Sequence, residues 1–416
     1  MREPVTARWG RGVLAVVGWL LGVVAAIVLL APVVLLPITT AVPAWLWGSL
    51  LVADLVLVIL MLRRRGRAPV WGFGGMAVVV GVAVVASQLF AATPSIRDAA
   101  GQPMPNSIAT LEKVTLNGSE QWITVRGRDR RNPVLLNLGM GGPGGGGFAT
   151  RTLFEPLEEH FTVVSWDEPG TGKSIDALPV AQLTRQRFID DGRALTELLR
   201  KRFGQDKIFL YGVSWTSILG VWLVQDCPEC YHAFISSGQM VNTTANDQAG
   251  YQLALDYSSR RGDRATVDRL RANGPPPYAG PGLVFRYLDF LDVLNDYMGA
   301  PRYSLVVPIV PFLAPEYGFV DKVNHTRGLI DSFNVVYPQL ADLDFSAQAS
   351  TLDVPVFFFV GRDDVNAMAS LVEDYYNTLT APRKRLIWLQ GGHGLSGETR
   401  GQFVDVMVND VRPLAG

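Results

Sequence analysis

The stretch Lys207-Ile-Phe-Leu-Tyr-Gly-Val-Ser-Trp-Thr-Ser217 decides how this chain is read. Its first half is a short run of strand formers ending at Gly212. Ser214 follows, and then an apolar run of helical character over 218–224. Strand, sharp turn with a serine at its tip, then helix is a layout that lifts a hydroxyl above a sheet. It also lets the next residue's amide serve a developing oxyanion. The pattern asks for Gly-x-Ser-x-Gly; here it reads Gly-Val-Ser-Trp-Thr, with Thr216 where the second glycine belongs.

On either side of this stretch, apolar strand-like runs alternate with helical patterns. Strands are expected at 108–116 and 121–126, split by the turn signal Asn117-Gly118, and at 133–138, 161–166, 233–237, 354–361 and 385–391. An amphipathic helix is expected over 184–203, with Phe188, Leu195, Leu198 and Leu199 on one face, and a last helix near 401–411. Such alternation implies an α/β architecture, a mostly parallel sheet with helices on both faces. The strand at 133–138 opens into Gly139-Met-Gly-Gly-Pro-Gly-Gly-Gly-Gly147, a loop whose backbone can approach a ligand closely. Asp167-Glu-Pro-Gly-Thr-Gly-Lys-Ser174 ends like a phosphate-binding loop. Its first position is Asp instead of Gly, and two acids precede the turn, so nucleotide binding is rejected. Over 241–350 the pattern changes to helical pieces without clear strands, which reads as an inserted cap.

The front of the chain has a different character. Three apolar runs, about 12–37, 44–62 and 69–92, are each long enough to cross a hydrocarbon core of ~30 Å. Residues 1–92 carry seven arginines and two acids, a net +5; the whole chain is −1, leaving −6 for the rest. That balance argues against nucleic acid as a partner of the large domain. Arg2, Arg8 and Arg11 precede the first run, and the Arg63–Arg67 cluster separates the second from the third. By the positive-inside rule the N-terminus is cytoplasmic and everything after about residue 92 lies outside the cytoplasm, in a multi-pass protein of the cell membrane. Asp54 sits mid-span, where an acid costs about 2.5–3.5 kcal/mol on insertion scales. An interhelical hydrogen bond, for example to Ser87, or local hydration is expected there. The domain plan is therefore membrane helices 1–92, linker 93–106, core 107–240, cap 241–350 and core 351–416.

A serine hydroxyl needs a base, and histidine is the usual one. Of the four histidines, His160 and His232 each precede a strand, and His325 falls in the cap. His393, in Gln390-Gly-Gly-His-Gly394, follows a strand and so reaches the same sheet edge as Ser214. Asp363 and Asp364 follow the strand ending at Gly361 on that edge too, and either would orient the base.

The motifs together resemble the prolyl iminopeptidase-like α/β-hydrolases. Met140-Gly-Gly-Pro-Gly144 is similar to their His-Gly-Gly-Pro-Gly loop, and 167–174 to their Asp-Gln-Arg-Gly-x-Gly-x-Ser turn. Gly212-Val-Ser-Trp-Thr-Ser217 is similar to Gly-Gly-Ser-Trp-Gly-Ser, Gly361-Arg-Asp-Asp364 to Gly-Arg-x-Asp, and Gly392-His393 to the final histidine motif. The resemblance covers about 105–411. It implies an α/β-hydrolase fold with a helical cap and a triad of Ser214, Asp364 and His393. It further implies an oxyanion hole from the amides of Gly142 and Trp215, and no cofactor or metal. The expected activity is cleavage of an amide or ester in a small molecule or short peptide, with an aminopeptidase of the prolyl iminopeptidase type first. A carboxylesterase or lipase, or a weakly catalytic binding or sensory module, is the alternative.

Three departures stand out: Met140 for the loop histidine, Glu168-Pro169 for Gln-Arg, and Thr216 for a small residue at the elbow. The family's peptidases hold a substrate's free amine with acids in the cap. Here Asp292, Asp296, Glu316 and Asp331 are candidates by charge alone, and Tyr278, Phe285, Tyr287 and Phe290 could line a pocket or simply pack. Cys227-Pro-Glu-Cys230 is read as a local disulfide or two free thiols.

Overall fold

The computed structural model describes residues 5–63, 68–139, 141–306, 309–395 and 397–416. The chain divides into two compact units: Met1–Ala92 with Pro315–Val320, and Thr93–Ala314 with Asp321–Gly416.

The first unit holds helices α1 (Val5–Thr39), α2 (Ala44–Arg63) and α3 (Ala68–Leu89). Within them Val16–Thr39, Ala44–Arg63 and Val70–Leu89 are long and apolar enough to cross a membrane. Arg2, Arg64, Arg65 and Arg67, which carry part of the orientation argument, lie outside the described residues. Helices α2 and α3 pack closely where Leu57 lies over Gly75 and Met61 over Gly72, positions where a methyl group would overlap those side chains. This antiparallel register corrects one expectation. Asp54 is fully buried, and neither carboxylate oxygen has a hydrogen-bond partner among the described residues. With 57 opposite 75, Asp54 lies level with residues near 78, about nine residues from Ser87, and at 1.5 Å per residue that is roughly 13 Å along the helix. Ser87 is engaged elsewhere: its Oγ donates to the Val84 carbonyl (2.7 Å) and accepts from the Phe319 amide (2.9 Å). Pro315–Val320, expected within the cap, belongs to this helical unit; Ala92 N donates to the Pro315 carbonyl and Val320 N to Gln88 Oε1.

The second unit is built on one eight-stranded sheet in the order β1-β2-β4-β3-β5-β6-β7-β8. Its strands are β1 (Ile108–Leu116), β2 (Ser119–Gly127), β3 (Val134–Asn137), β4 (Thr162–Asp167), β5 (Ile208–Ser214), β6 (Tyr231–Gln239), β7 (Val356–Gly361) and β8 (Lys384–Leu389). The first two form an antiparallel hairpin about Asn117 and Gly118, both at positive φ, which suits the twist of the flanking strands. β2 pairs antiparallel with β4, and the other pairings are parallel. β3, β4 and β7 are buried along their whole length, as strands covered on both faces must be, and that explains their nearly unbroken apolar composition.

Helix α4 (Arg185–Phe203) is capped by the Thr184 side chain, which accepts from Arg187 N, and ends at Gly204 in the left-handed region. Helix α5 (Trp215–Asp226) leaves β5 directly. The cap carries α6 (Thr243–Arg260), α7 (Arg264–Asn273), α8 (Leu283–Tyr297) and α9 (Phe319–Val336), with its own core around Tyr251, Tyr278, Tyr287 and Phe290. Phe285 points outward instead, 56% exposed. Helices α10 (Ala369–Thr378) and α11 (Arg400–Val406) complete the unit. Cys227 and Cys230 are joined in a disulfide at the end of α5.

The linker is tied to the core by one buried ion pair. Arg126 on β2 makes a two-pronged contact with Glu158 (2.6 and 3.1 Å) and donates through Nη1 to Thr93 Oγ1 and the Pro94 carbonyl. Burial holds the Glu158 carboxyl above the usual range against the opposing pull of Arg126. Removing one partner would strand the other charge, so Arg126→Met should lower the free energy of unfolding by about 3–5 kcal/mol. Chemical denaturation should show that loss, and the double variant Arg126→Met/Glu158→Leu should recover most of it.

Candidate active site

The C-terminal edge of a parallel sheet is where successive loops converge, and this sheet sends its chemistry-bearing residues there. Ser214 ends β5 at φ 55, ψ −122, a conformation that costs a non-glycine residue of order 1–3 kcal/mol. Two neighbours hold it. Gly212 has its Cα face against the Thr216 carbonyl, where an added methyl group would lie 2.3 Å from that oxygen. Thr216, which stands where a small residue was expected, is accommodated and fully buried. Its Oγ1 accepts from Val213 N (2.8 Å) and lies 3.1 Å from the Gly139 carbonyl, so the hydroxyl links the elbow to the loop leaving β3.

Asp364 follows β7 and His393 follows β8. His393 Nδ1 lies 3.0 Å from Asp364 Oδ2, and Asp364 Oδ1 accepts the amides of Asn366 and Ala367 at 2.9 Å each. The carboxylate is buried and fixed by backbone donors, whereas Asp363 is exposed. Burial acts to lower the His393 pKa, but the charge and hydrogen bond of Asp364 outweigh it, and the net shift is upward. Gly238, at the end of β6 with φ +53, lies directly beneath this pair; a methyl group there would sit 2.6 Å from His393 Cε1. Sequence reasoning passed over Gly238, although a Ser-Ser-Gly end to a strand between those carrying Ser214 and Asp364 is a legible sign of close approach.

Ser214, Trp215, Gly142 and His393 line one cavity of about 190 Å³ between the sheet edge and the cap. Met140 lies outside the described residues. His160 precedes β4 and His232 sits near the start of β6 against Phe209, both on the opposite edge. His325 is a finding of the tertiary structure: α9 brings it to the cavity wall, where Nε2 accepts from Gly146 N (3.3 Å). Burial, with a lesser contribution from Lys322, lowers its pKa to about 4, so it is neutral near pH 7.

The acids expected from charge alone are not at the cavity. Asp292 and Asp296 line a separate polar depression with Arg261, Arg269 and Arg302; Asp331 pairs with Arg327 at the surface; Glu316 is buried in the helical unit. The acid that does line the cavity is Asp247 on α6, which accepts from Tyr337 Oη at 3.0 Å. Burial pushes its carboxyl up to about 7. No motif surrounds Asp247 in the sequence, and only helix packing reveals where it points. Of the four cap aromatics, Tyr287 reaches the cavity.

Glu168 stands where the resemblance led one to expect Gln. It is fully buried, and its Oε1 accepts both Gly144 N (3.0 Å) and Trp215 Nε1 (3.1 Å). One carboxyl therefore ties the glycine loop to the residue after Ser214. Asp167 and Lys173 are likewise spent on structure: the Asp167 carboxylate accepts the amides of Gly147 and Lys173, and Lys173 Nζ pairs with Asp321 (2.7 Å).

Comparison with known proteins bears on the fold that carries these residues. Residues 132–276 match the family described as alpha/beta hydrolase fold. The chain is 29% identical over 292 residues to the probable aminopeptidase YbaC of Bacillus subtilis (strain 168), covering 69% of this chain and 91% of that one. Among solved structures it is similar to proline iminopeptidase of Mycobacterium smegmatis (18% identity, TM-score 0.54) and to a proline iminopeptidase-related protein of Thermus thermophilus (18%, 0.52). Each covers 74% of this chain and 99% of the other. The second unit has the α/β-hydrolase fold, with a mostly parallel sheet.

Burial pushes Glu168 up to about 8, against hydrogen bonds from Gly144 and Trp215. Below the unfolded-state pKa of about 4.3 both states hold the proton; above it the unfolded chain ionises first, so stability falls as pH rises toward 8. Glu168→Gln should flatten the unfolding free energy between pH 5 and about 8 relative to wild type, as read by denaturation at each pH.

Proposed function

We propose that this protein is a membrane-anchored serine hydrolase that cleaves an amide or ester through an acyl-enzyme. The observation that carries the reading is the convergence, on one cavity, of a serine held at positive φ and a histidine backed by a buried carboxylate. Ser214 Oγ attacks the carbonyl carbon while His393 Nε2 takes its proton. Asp364 accepts from Nδ1 of the resulting imidazolium and fixes its tautomer. The amides of Trp215 and Gly142 receive the oxyanion. Collapse of the tetrahedral species expels the amine or alcohol, which takes the proton from His393. Water then repeats the sequence on the acyl-enzyme.

An aminopeptidase of the prolyl iminopeptidase type is the leading subclass. Asp247 supports it as an acid within the cavity able to receive a substrate's amine, and so does the similarity to a protein named as an aminopeptidase. The esterase or lipase reading draws on the largely apolar wall formed by Val284, Leu288, Leu291, Val310 and Leu329. The three apolar helices hold the protein in the cell membrane, N-terminus in the cytoplasm and hydrolase domain outside.

A fluorophosphonate probe should label the purified wild-type protein and leave Ser214→Ala unlabelled; labelling that survives the substitution would remove Ser214 from the mechanism. Proline-amide substrates should turn over faster than p-nitrophenyl esters, and Asp247→Asn should raise KM for the former far more than for the latter. Orientation has a separate readout: protease added to intact cells should degrade the hydrolase domain, and degradation confined to inside-out vesicles would reverse the assignment.

A further inference from the structure

The cap contains one segment built the wrong way round for water. Between Tyr303 and Val323 the ionisable carboxyl and amino side chains are Glu316, Asp321 and Lys322, and all three are buried, at 0, 6 and 1% exposure. Lys322 Nζ donates inward to the carbonyls of Pro311 and Ala314 (3.2 and 2.8 Å), and Asp321 pairs with Lys173. Among the described residues of this window, the large side chains left outside are aliphatic, and Ser304 is the small polar one exposed beside them. Leu305, Ile309, Leu313 and Val323 are 63, 61, 69 and 64% exposed, within 19 residues. Elsewhere the hydrolase unit buries its large aliphatic side chains almost without exception among the described residues, so this concentration marks an interaction surface.

The chain itself indicates the occupant. Pro315–Val320, lying between Leu313 and Val323 in sequence, belongs to the unit of apolar helices: Phe319 packs on the core of that unit, and the Phe319 and Val320 amides are held by Ser87 and Gln88 in the last turn of α3. A helix of membrane-spanning length ends there, at the depth where hydrocarbon gives way to headgroups. Leu313 and Val323 stand two and three residues from this short tether, so chain length alone keeps them within about 10 Å of it. Charges turned in and aliphatic groups turned out, beside a helix terminus, is the polarity that a lipid surface selects.

We propose that the segment bearing Leu305, Ile309, Leu313 and Val323 docks into the headgroup–acyl boundary of the lipid bilayer. This rests on the reading that the three helices cross a membrane. Val310, between two of the outward residues, lines the cavity that contains Ser214. The docking surface and one wall of that cavity are thus the same stretch of chain.

The test uses the full chain in phosphatidylcholine–phosphatidylglycerol vesicles. Cys227 and Cys230 are consumed in their disulfide, so a single introduced cysteine can be labelled selectively with an environment-sensitive NBD fluorophore. Labels at Ile309→Cys and Leu313→Cys should show blue-shifted emission and lose fluorescence to nitroxide carried on lipid. A label at Ala347→Cys, on the exposed surface of the hydrolase unit, should be quenched instead by aqueous iodide. Leu55→Cys, exposed on α2, reports the helices themselves. Lipid quenching at Leu55→Cys without quenching at Ile309→Cys and Leu313→Cys would overturn the docking surface and leave the membrane reading standing. Absence of lipid quenching at all three would overturn both. Cap labels shielded from iodide yet untouched by lipid-borne nitroxide would assign the surface to a protein partner and overturn the proposal.

Discussion

The backbone reversal at Ser214 is the constraint on which the hydrolase unit is arranged. A non-glycine residue at φ 55 persists only where its surroundings leave it no alternative, and here they do so from three directions. β5 enters as a buried central strand paired on both sides, α5 leaves as a helix buried from Trp215 to Val224, and the Thr216 hydroxyl ties the turn to the loop after β3. Glu168 extends the same bracing through Trp215 and Gly144. The strain is offset by burial across a large core and is concentrated at one residue, Ser214.

The polar groups around the cavity have environments that drive them apart. Asp364 is held by two backbone amides and steadies His393, whereas Glu168 and Asp247 lie in surroundings that favour the neutral carboxyl, and His325 in one that favours the neutral imidazole. Burial alone would lower the His393 pKa, and it is the Asp364 charge that makes this imidazole the readier of the two to take up a proton. Asp247, His325 and His393 thus line one cavity with different protonation preferences.

The helical unit shows a different economy. Close packing at Gly72 and Gly75 brings α2 and α3 together, and Asp54 is enclosed without a hydrogen-bond partner among the described residues. Its pairing with Ser87, plausible from composition, is ruled out by the level at which the two helices meet, and Ser87 is instead part of the seat for Phe319.

The amino-acid sequence by itself determined the alternation of strands and helices, the three apolar spans, and the sheet edge at which Ser214, Asp364 and His393 meet. These are consequences of local periodicity and strand direction, and each can be read along the chain. The roles of Thr216, Glu168, Asp247 and His325 were decided only by tertiary structure. Thr216 reads locally as a misfit, but its hydroxyl finds Gly139 on another strand's loop; Glu168 reads locally as a plain exchange for Gln, but its carboxyl finds two donors on separate segments. Asp247 and His325 lie on cap helices whose rotation about their axes is set by packing, so which acid and which histidine face Ser214 is written in contacts between segments tens to hundreds of residues apart.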